Sequence, residues 1–174
     1  MTALLSRIRS DRSGIASLEI ALAMPVLLIL LSGTIETVNF IRVSDKVQAV
    51  SFATADLLSQ QQTLSTSRVN DVFRATELMM QPFDASGLRI GVAAVRFRAG
   101  DGQATLDWTE SRNGGVVDAP LALTAQLTAP GQSVIVVTAE YTYRPIFGTL
   151  ILSGLALKET AFAQPRRANV IERN

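Results

Sequence analysis

A chain of 174 residues has room for one domain and an appendage. Its 16 basic and 15 acidic residues leave a formal net charge of +1, so no global field favours nucleic acid or acidic lipid as a partner. The absence of Cys and His excludes disulfides, thiolate or imidazole metal sites, thiol nucleophiles and the usual general base.

The first predicted element is a basic cytoplasmic leader over residues 1–14. Its three arginines, Arg7, Arg9 and Arg12, stand against a single acidic residue and precede a long apolar run. Positive charges flanking a membrane span stay on the cytoplasmic side. These arginines therefore predict a cytoplasmic N-terminus and place residues 37–174 outside the cytoplasm.

The apolar run predicts a transmembrane helix over residues 15–36. Sixteen residues, from Ile20 to Ile35, carry no charge. Counted from Ile15, the run spans about 31 Å as a helix, which matches a hydrocarbon core of about 30 Å. A cleaved secretory signal would need small residues after the run, where Leu31-Ser32-Gly33 is a poor match. The basic leader and the length disfavour the buried core helix of a soluble protein.

Glu19 is a lone carboxylate inside this run. A charge there costs about 2.5–3.5 kcal/mol on insertion scales, so a compensating partner is expected. The leader ending in Gly14, four apolar or small residues and then Glu19 resemble a type IV prepilin processing site. Cleavage after Gly14 would leave an ammonium on Ile15, one helical turn from Glu19. The two charges could then pair within one chain or between neighbours.

The resemblance extends over 23 residues, "GIASLEIALAMPVLLILLSGTIE". This segment is similar to the N-terminal motif of the TadE/TadG-like family, the pseudopilins or minor pilins of the tight adherence (Tad) pilus. The matching positions are Gly14, Leu18, Glu19, Pro25, Gly33 and Glu36. Ile20 departs from the motif, in which an aromatic residue usually follows the Glu. The segment "VVTAEYTYRPIFGTL" resembles the end of these proteins more loosely.

The resemblance implies a short TadE-type protein, since the metal-binding Asp-x-Ser-x-Ser loop of longer TadG relatives is incomplete at Asp84-Ala85-Ser86. It implies a pilin-like fold and a structural role in assembling a Tad (type IVb-like) pilus for adhesion or secretion. Gly33 and Glu36 would form a membrane-exit motif. The implied partners are the bacterial inner membrane, a prepilin peptidase, other Tad pilins and the assembly platform.

Two other functional classes remain open. One is a signal-anchored periplasmic adaptor or binding domain that never enters a filament. The other is an anchored enzyme, which is disfavoured because no nucleophile–base pair is apparent. No catalytic residue, cofactor, nucleic acid or small-molecule substrate is expected. Asp101, Asp107 and Glu110 are interpreted as solvated side chains rather than as metal ligands, and no metal is expected.

Pro25 interrupts the hydrogen bonding of the predicted transmembrane helix. A proline inside a helix costs about 3 kcal/mol and kinks or loosens it locally. Within a membrane such a defect is tolerated when neighbouring groups satisfy the freed carbonyl. A passive kink and a functional bend, used when the helix leaves lipid to pack in a filament, both remain open.

Beyond Glu36 the helix is predicted to continue to the polar stretch at residues 60–63. Its apolar positions follow a three-four spacing, at Phe40, Val43, Val47, Val50 and Ala53 or Thr54. A second, shorter helix is predicted with Ser67 as its N-cap. Its apolar face comprises Val69, Val72, Phe73, Thr76 and Met80.

From Leu88 the apolar period becomes two, which predicts strands. The parity slips at Ala93-Ala94, so a bulge or a change of side is expected there. Further strands are predicted at residues 104–108, after a turn at 100–102, and at 135–143 and 155–162, with a helical turn at 121–128. The sequence therefore predicts an α+β fold, with an antiparallel sheet of about four strands on the long helix. The predicted domain covers residues 37–164, followed by a polar tail at 165–174.

Overall fold

The computed structural model describes residues 13–119, 129–147 and 154–173. The predicted topology residues Arg7, Arg9 and Arg12 and the helical turn at 121–128 lie outside these ranges. The predicted α+β fold is confirmed: a long N-terminal helix and a shorter second helix accompany a four-stranded antiparallel sheet.

Helix α1, Ser13–Ser59, is 47 residues long, which corresponds to about 70 Å. It remains helical through Pro25. Its C-terminal half packs against the sheet with the predicted three-four spacing, and Thr54 is buried there while Ala53 is only half-buried. The fully buried apolar residues of this half include Val43, Val47, Val50 and Leu58.

Helix α2, Thr66–Leu78, follows a two-residue strand β1, Thr63–Leu64. Its N-cap is Ser65, so the prediction of Ser67 is wrong. Ser65 has an extended backbone and its hydroxyl accepts a hydrogen bond from the Arg68 amide at 3.3 Å, whereas Ser67 already lies in the first turn. The predicted buried face of α2 is confirmed, with Val69, Val72, Phe73 and Thr76 inside.

The sheet contains β2, Leu88–Phe97, β3, Ala104–Arg112, β4, Ser133–Tyr143, and β5, Leu155–Ala163. The strands lie in the order β3-β2-β4-β5, and every neighbouring pair is antiparallel. A short 3₁₀ turn, Ala85–Gly87, leads into β2. One face of the sheet packs on α1 and α2 to form the main core.

Near Ala93-Ala94 the apolar residues of β2 change from one face of the sheet to the other, which is the predicted change of side. The bulge lies on the neighbouring strand β3. Pairing of β2 with β4 is uninterrupted, so β2 itself alternates regularly. On the other edge, Ala94 pairs with Trp108 but Val95 pairs with Leu106, which leaves Asp107 as the extra residue of β3. Apolar residues on the outer face then form a second cluster, Val95, Phe97, Val134 and Val136.

Residues 113–119, here called the crossing segment, run over this outer face. Asn113 donates a side-chain hydrogen bond to the Leu88 carbonyl at 2.8 Å, and the Asp118 amide donates to the Thr138 hydroxyl at 3.1 Å. The segment passes over the outer face of β2, where a Cβ at Gly91 would meet the Val116 backbone, and then over Thr138 on the outer face of β4.

Residues 165–173, predicted as part of a polar tail, pack against the domain. Strand β6, Glu172–Arg173, pairs in parallel with β1. Ile171 is fully buried, and its carbonyl accepts a hydrogen bond from the Trp108 indole at 3.0 Å. The sequence did not indicate that Ile171 belongs to the core, because the segment around it is mostly polar.

Candidate functional site

The two segments that carry the family resemblance meet at one end of the sheet. Glu36 lies on α1 where the apolar run ends, and Tyr143 is the last residue of β4. The Tyr143 hydroxyl donates a hydrogen bond to one oxygen of the Glu36 carboxylate. The other oxygen accepts from the backbone amides of Ile146 and Phe147 at 2.9 and 3.0 Å. These four residues are called the Glu36 junction.

Local sequence explains how the chain reaches this arrangement. Pro145 follows β4, and because proline has no N–H it cannot continue the hydrogen bonding of the strand. The chain turns, and the next two amides are free to point at α1. A carboxylate is the strongest protein acceptor for such amides, since hydrogen bonds to a charged group are about twice as strong as neutral ones.

Phe40, one turn after Glu36, supports the same tyrosine. Its ring lies 5.6 Å from the Tyr143 ring at an interplanar angle of 71°, which is the edge-to-face geometry preferred by aromatic pairs. Burial, together with the hydrogen bond to Glu36, raises the pKa of Tyr143 to about 12. Tyr143 is therefore a neutral donor over the physiological range, and α1 is joined to β4 by one polar and one aromatic contact.

A cavity of about 530 Å³ opens beside the junction. Its lining includes Asn39, Phe83, Tyr141, Arg144 and Ile146. The Tyr141 hydroxyl donates to the backbone carbonyl of Asp84 at 3.1 Å, and burial raises the pKa of Tyr141.

Asp84 caps the short 3₁₀ turn at the rim of this cavity. Its carboxylate accepts hydrogen bonds from the Ser86 hydroxyl at 2.6 Å and the Ser86 amide at 2.9 Å, and these bonds lower its pKa. Since both polar groups of Ser86 are engaged with it, Asp84 has a local structural role. In the described part of the chain, no three acidic residues are grouped so that they could hold a metal ion.

The N-terminal half of α1 makes no core contacts of this kind. Its large apolar side chains from Ile15 to Leu31 are between 51 and 71% exposed. Near its end, three hydroxyl groups donate to helix carbonyls: Ser32 to Leu28, Thr34 to Leu30 and Thr37 to Gly33, the last two at 2.8 Å. Such internal bonding satisfies hydroxyl groups where no water is available. Among the described helices, α1 is long and apolar enough to cross a membrane, as an anchor or a signal sequence.

The residues predicted for processing lie in the first two turns of this exposed half. Ile15 and Glu19 are exposed on the same side, one turn apart, and Glu19 has no hydrogen bond or ion pair with another described residue. A Cβ added at Gly14 or Gly33 would meet no atom within 4 Å. Of the predicted site residues, Glu36 is the one that the structure joins to the C-terminal motif.

Sequence reasoning missed the partners of Glu36. The Tyr-x-Tyr-Arg-Pro pattern with its strand-ending proline was the available signal, but its contact with α1 spans more than 100 residues of sequence. No family model, curated protein or solved structure matches this chain. The functional assignment therefore depends on the residues and their geometry.

Proposed function

We propose that this chain is a pseudopilin or minor pilin, a membrane-anchored structural component in the assembly of a Tad-type pilus. The observation that carries the proposal is α1 itself. One continuous helix has an exposed apolar half of membrane length and a second half that packs against the sheet of the α+β domain, here called the head. This division of one helix is what a pilin-like subunit requires, because the same element must reside in lipid and hold the head.

The Glu36 junction supports the proposal. It joins the last residue of the N-terminal motif to the tyrosine and the two residues after the proline of the C-terminal motif. Both resembling segments therefore serve one contact, at the point where the apolar half of α1 gives way to the head. In the proposed topology this point lies at the outer surface of the bacterial inner membrane, with the leader in the cytoplasm and the head in the periplasm.

Processing by a prepilin peptidase is part of the proposal. Gly14 and Ile15 lie at the exposed start of α1 with open space around them. Cleavage between them would place the new ammonium one turn from Glu19, which has no partner among the described residues. Charge pairing between Ile15 and Glu19, within a chain or between neighbouring subunits, is the role proposed for Glu19.

Mass spectrometry of the membrane-purified protein tests the processing. We expect Ile15 as the first residue in the wild type and in Gly33→Val, and Met1 in Gly14→Val. The two glycines are matched, because neither added side chain meets a neighbouring atom. Retention of Met1 in the wild type, with the peptidase active, would contradict the proposal and favour the signal-anchored periplasmic adaptor.

Glu19→Gln tests incorporation into the assembly. Removing one partner of a buried charge pair typically costs about 3–5 kcal/mol, so recovery with the pilus or its platform should fall while membrane insertion persists. Recovery is normalised to the amount of processed protein in the membrane, with Ser17→Ala as the control. Unchanged recovery would restrict Glu19 to recognition by the peptidase.

A further inference from the structure

The two residues held by Glu36 after β4 present large apolar side chains outward. The Ile146 and Phe147 amides are bound to the carboxylate, yet these residues are 64 and 55% exposed. Leu155, the register partner of Tyr143 on β5, is 38% exposed at the same end of the sheet. Ile146, Phe147 and Leu155 are together called the boundary patch. At the same level of α1, but on other sides of the helix from Glu36, Ile35 and Val38 are also exposed.

Hydrogen bonding fixes the level of this patch along α1. The backbone of residues 146–147 contacts the Glu36 carboxylate directly, and Glu36 follows the last residue of the charge-free run. If the run lies in the hydrocarbon core, Ile146 and Phe147 lie where that core meets the headgroups. Residues 146 and 147 stay at this level while both amide bonds persist.

The positions of the charged residues near the patch are also consistent with a location at the membrane interface. The sequence is uncharged from Pro145 to Leu157, and the charge before it is the exposed Arg144. Arg144 is close enough to Asp84 and Tyr141 for its charge to act to lower their pKa values, but it forms no ion pair within 4.0 Å among the described residues, and its exposed guanidinium can reach a lipid phosphate. By contrast, the turn at the far end of β2 carries the exposed ion pair Arg98–Asp101.

We propose that the boundary patch inserts into the interfacial layer of the membrane that α1 crosses. Ile146 and Phe147 lie among the headgroups and the first acyl segments, and Arg144 binds lipid phosphate. Apolar side chains with an adjacent cation are typical of interfacial membrane contacts. This inference depends on the proposed membrane anchorage and adds a second membrane contact, which would set the tilt of the head through the Glu36 junction.

Depth measurement by spin labelling tests the inference. The chain contains no Cys, so single cysteines can be introduced and labelled without background. The label is placed at Phe147→Cys, at Leu27→Cys in the apolar half of α1, and at Ala99→Cys in the exposed far turn. The full chain is reconstituted in vesicles of phosphatidylethanolamine and phosphatidylglycerol. Collision with oxygen, which enters lipid, is compared with collision with a polar nickel chelate, which does not.

We expect nickel accessibility at position 147 to be several-fold lower than at position 99, with oxygen accessibility between those of positions 99 and 27. Full nickel accessibility at 147, with position 27 protected, would overturn the inference and leave the anchor intact. Protection of 147 from both reagents would indicate coverage by protein, such as a second copy, and would also overturn it. Exposure of position 27 to nickel would overturn the anchor and the inference together.

The labelled variants keep the contact that positions the loop, because Glu36 is bound by backbone amides rather than by the side chains replaced. A label at Leu155→Cys provides a second position in the patch, with the same expectation. Fluorescence of Trp108, the only tryptophan, verifies that each labelled head is folded.

Discussion

At the scale of single residues, Glu36 is the side chain on which the most contacts of the site converge. Its carboxylate receives one hydroxyl and two backbone amides from the segment after β4. An amide side chain at this position could keep its oxygen on the two backbone amides, but its NH₂ group would then face the Tyr143 hydroxyl, which would have to accept instead of donate. The negative charge that strengthens these hydrogen bonds would be lost.

We expect Glu36→Gln to lower the free energy of unfolding of the head by about 1–2 kcal/mol, since hydrogen bonds to a charged group are lost. Tyr143→Phe should cost less, because the two amide bonds persist. Urea unfolding in detergent micelles, followed by Trp108 fluorescence, measures both variants and the double variant. Non-additivity is expected because the residues are in contact. Asp71→Asn, on an exposed position of α2, is the control; equal loss in the control would contradict the role of Glu36.

Tyr143 predicts a specific loss of stability at alkaline pH. Its pKa is about 12 in the folded protein, whereas an unfolded tyrosine titrates near 10. Between these values the unfolded state releases its proton first, so the stability present below pH 10 is lost as the pH rises through 12.

Tyr143→Phe removes this contribution, so the difference in stability between wild type and variant should shrink from pH 10 to 12. Tyr141, whose pKa is also raised by burial, is replaced by Phe in both proteins. A difference that stays constant with pH would contradict the expectation.

At the scale of elements, two glycines allow the crossing segment to lie flat on β2. A Cβ at Gly91 would lie 2.8 Å from the Val116 carbonyl carbon, and a Cβ at Gly115 would overlap the Ile90 backbone more closely still. Backbone atoms on both sides cannot rotate away. The close approach places the crossing segment against the outer face of the sheet. Val117 of this segment packs there against the second apolar cluster.

Gly115→Ala and Gly91→Ala should each lower the free energy of unfolding by about 1–3 kcal/mol, as overpacking does in a dense interior. The larger effect is expected at Gly115, where the overlap is greater. The same urea titration measures it. Gly100→Ala is the matched control, because nothing lies within 4 Å of its added Cβ. Three equally stable variants would show that the crossing segment can lift away from the sheet.

At the scale of the whole molecule, the end of the chain closes the domain. Arg166 pairs with Asp56 on α1 at 2.5 Å, and Arg173 pairs with Glu110 on β3 at 2.5 Å. Ile171 fills the main core between these two ion pairs. The Arg166–Asp56 pair is exposed and contributes little, about 0–1 kcal/mol, whereas the Arg173–Glu110 pair is part-buried. Because Ile171 is fully buried, we expect its burial to be the largest contribution to this closure.

Ile171→Ala should cost about 2–5 kcal/mol, the range for deleting a large aliphatic side chain from a core. Leu106→Ala, at a position 57% exposed on β3, is the control and should change little. Unfolding midpoints of the two variants provide the comparison. Equal midpoints would mean that residues 165–173 detach without loss and that the domain ends at β5.

Elements whose pattern is local could be predicted from the amino-acid sequence. An uncharged run of membrane length, a three-four apolar spacing and a two-residue alternation predicted α1, α2 and four strands, because each pattern repeats within its own segment. The exact cap at Ser65 depended on which residue begins the helix, and a sequence with Ser at both 65 and 67 leaves that choice open.

Contacts between distant segments could not be predicted in this way and depend on how the elements pack. Glu36 finds partners 107 to 111 residues away, β6 pairs with β1, and the bulge falls on β3 rather than on β2. None of these contacts leaves a periodic signal, since each depends on strand register and on which faces pack together. The apolar half of α1 was predictable from composition. The boundary patch beside it was not, because it includes residues more than 100 positions away in the sequence.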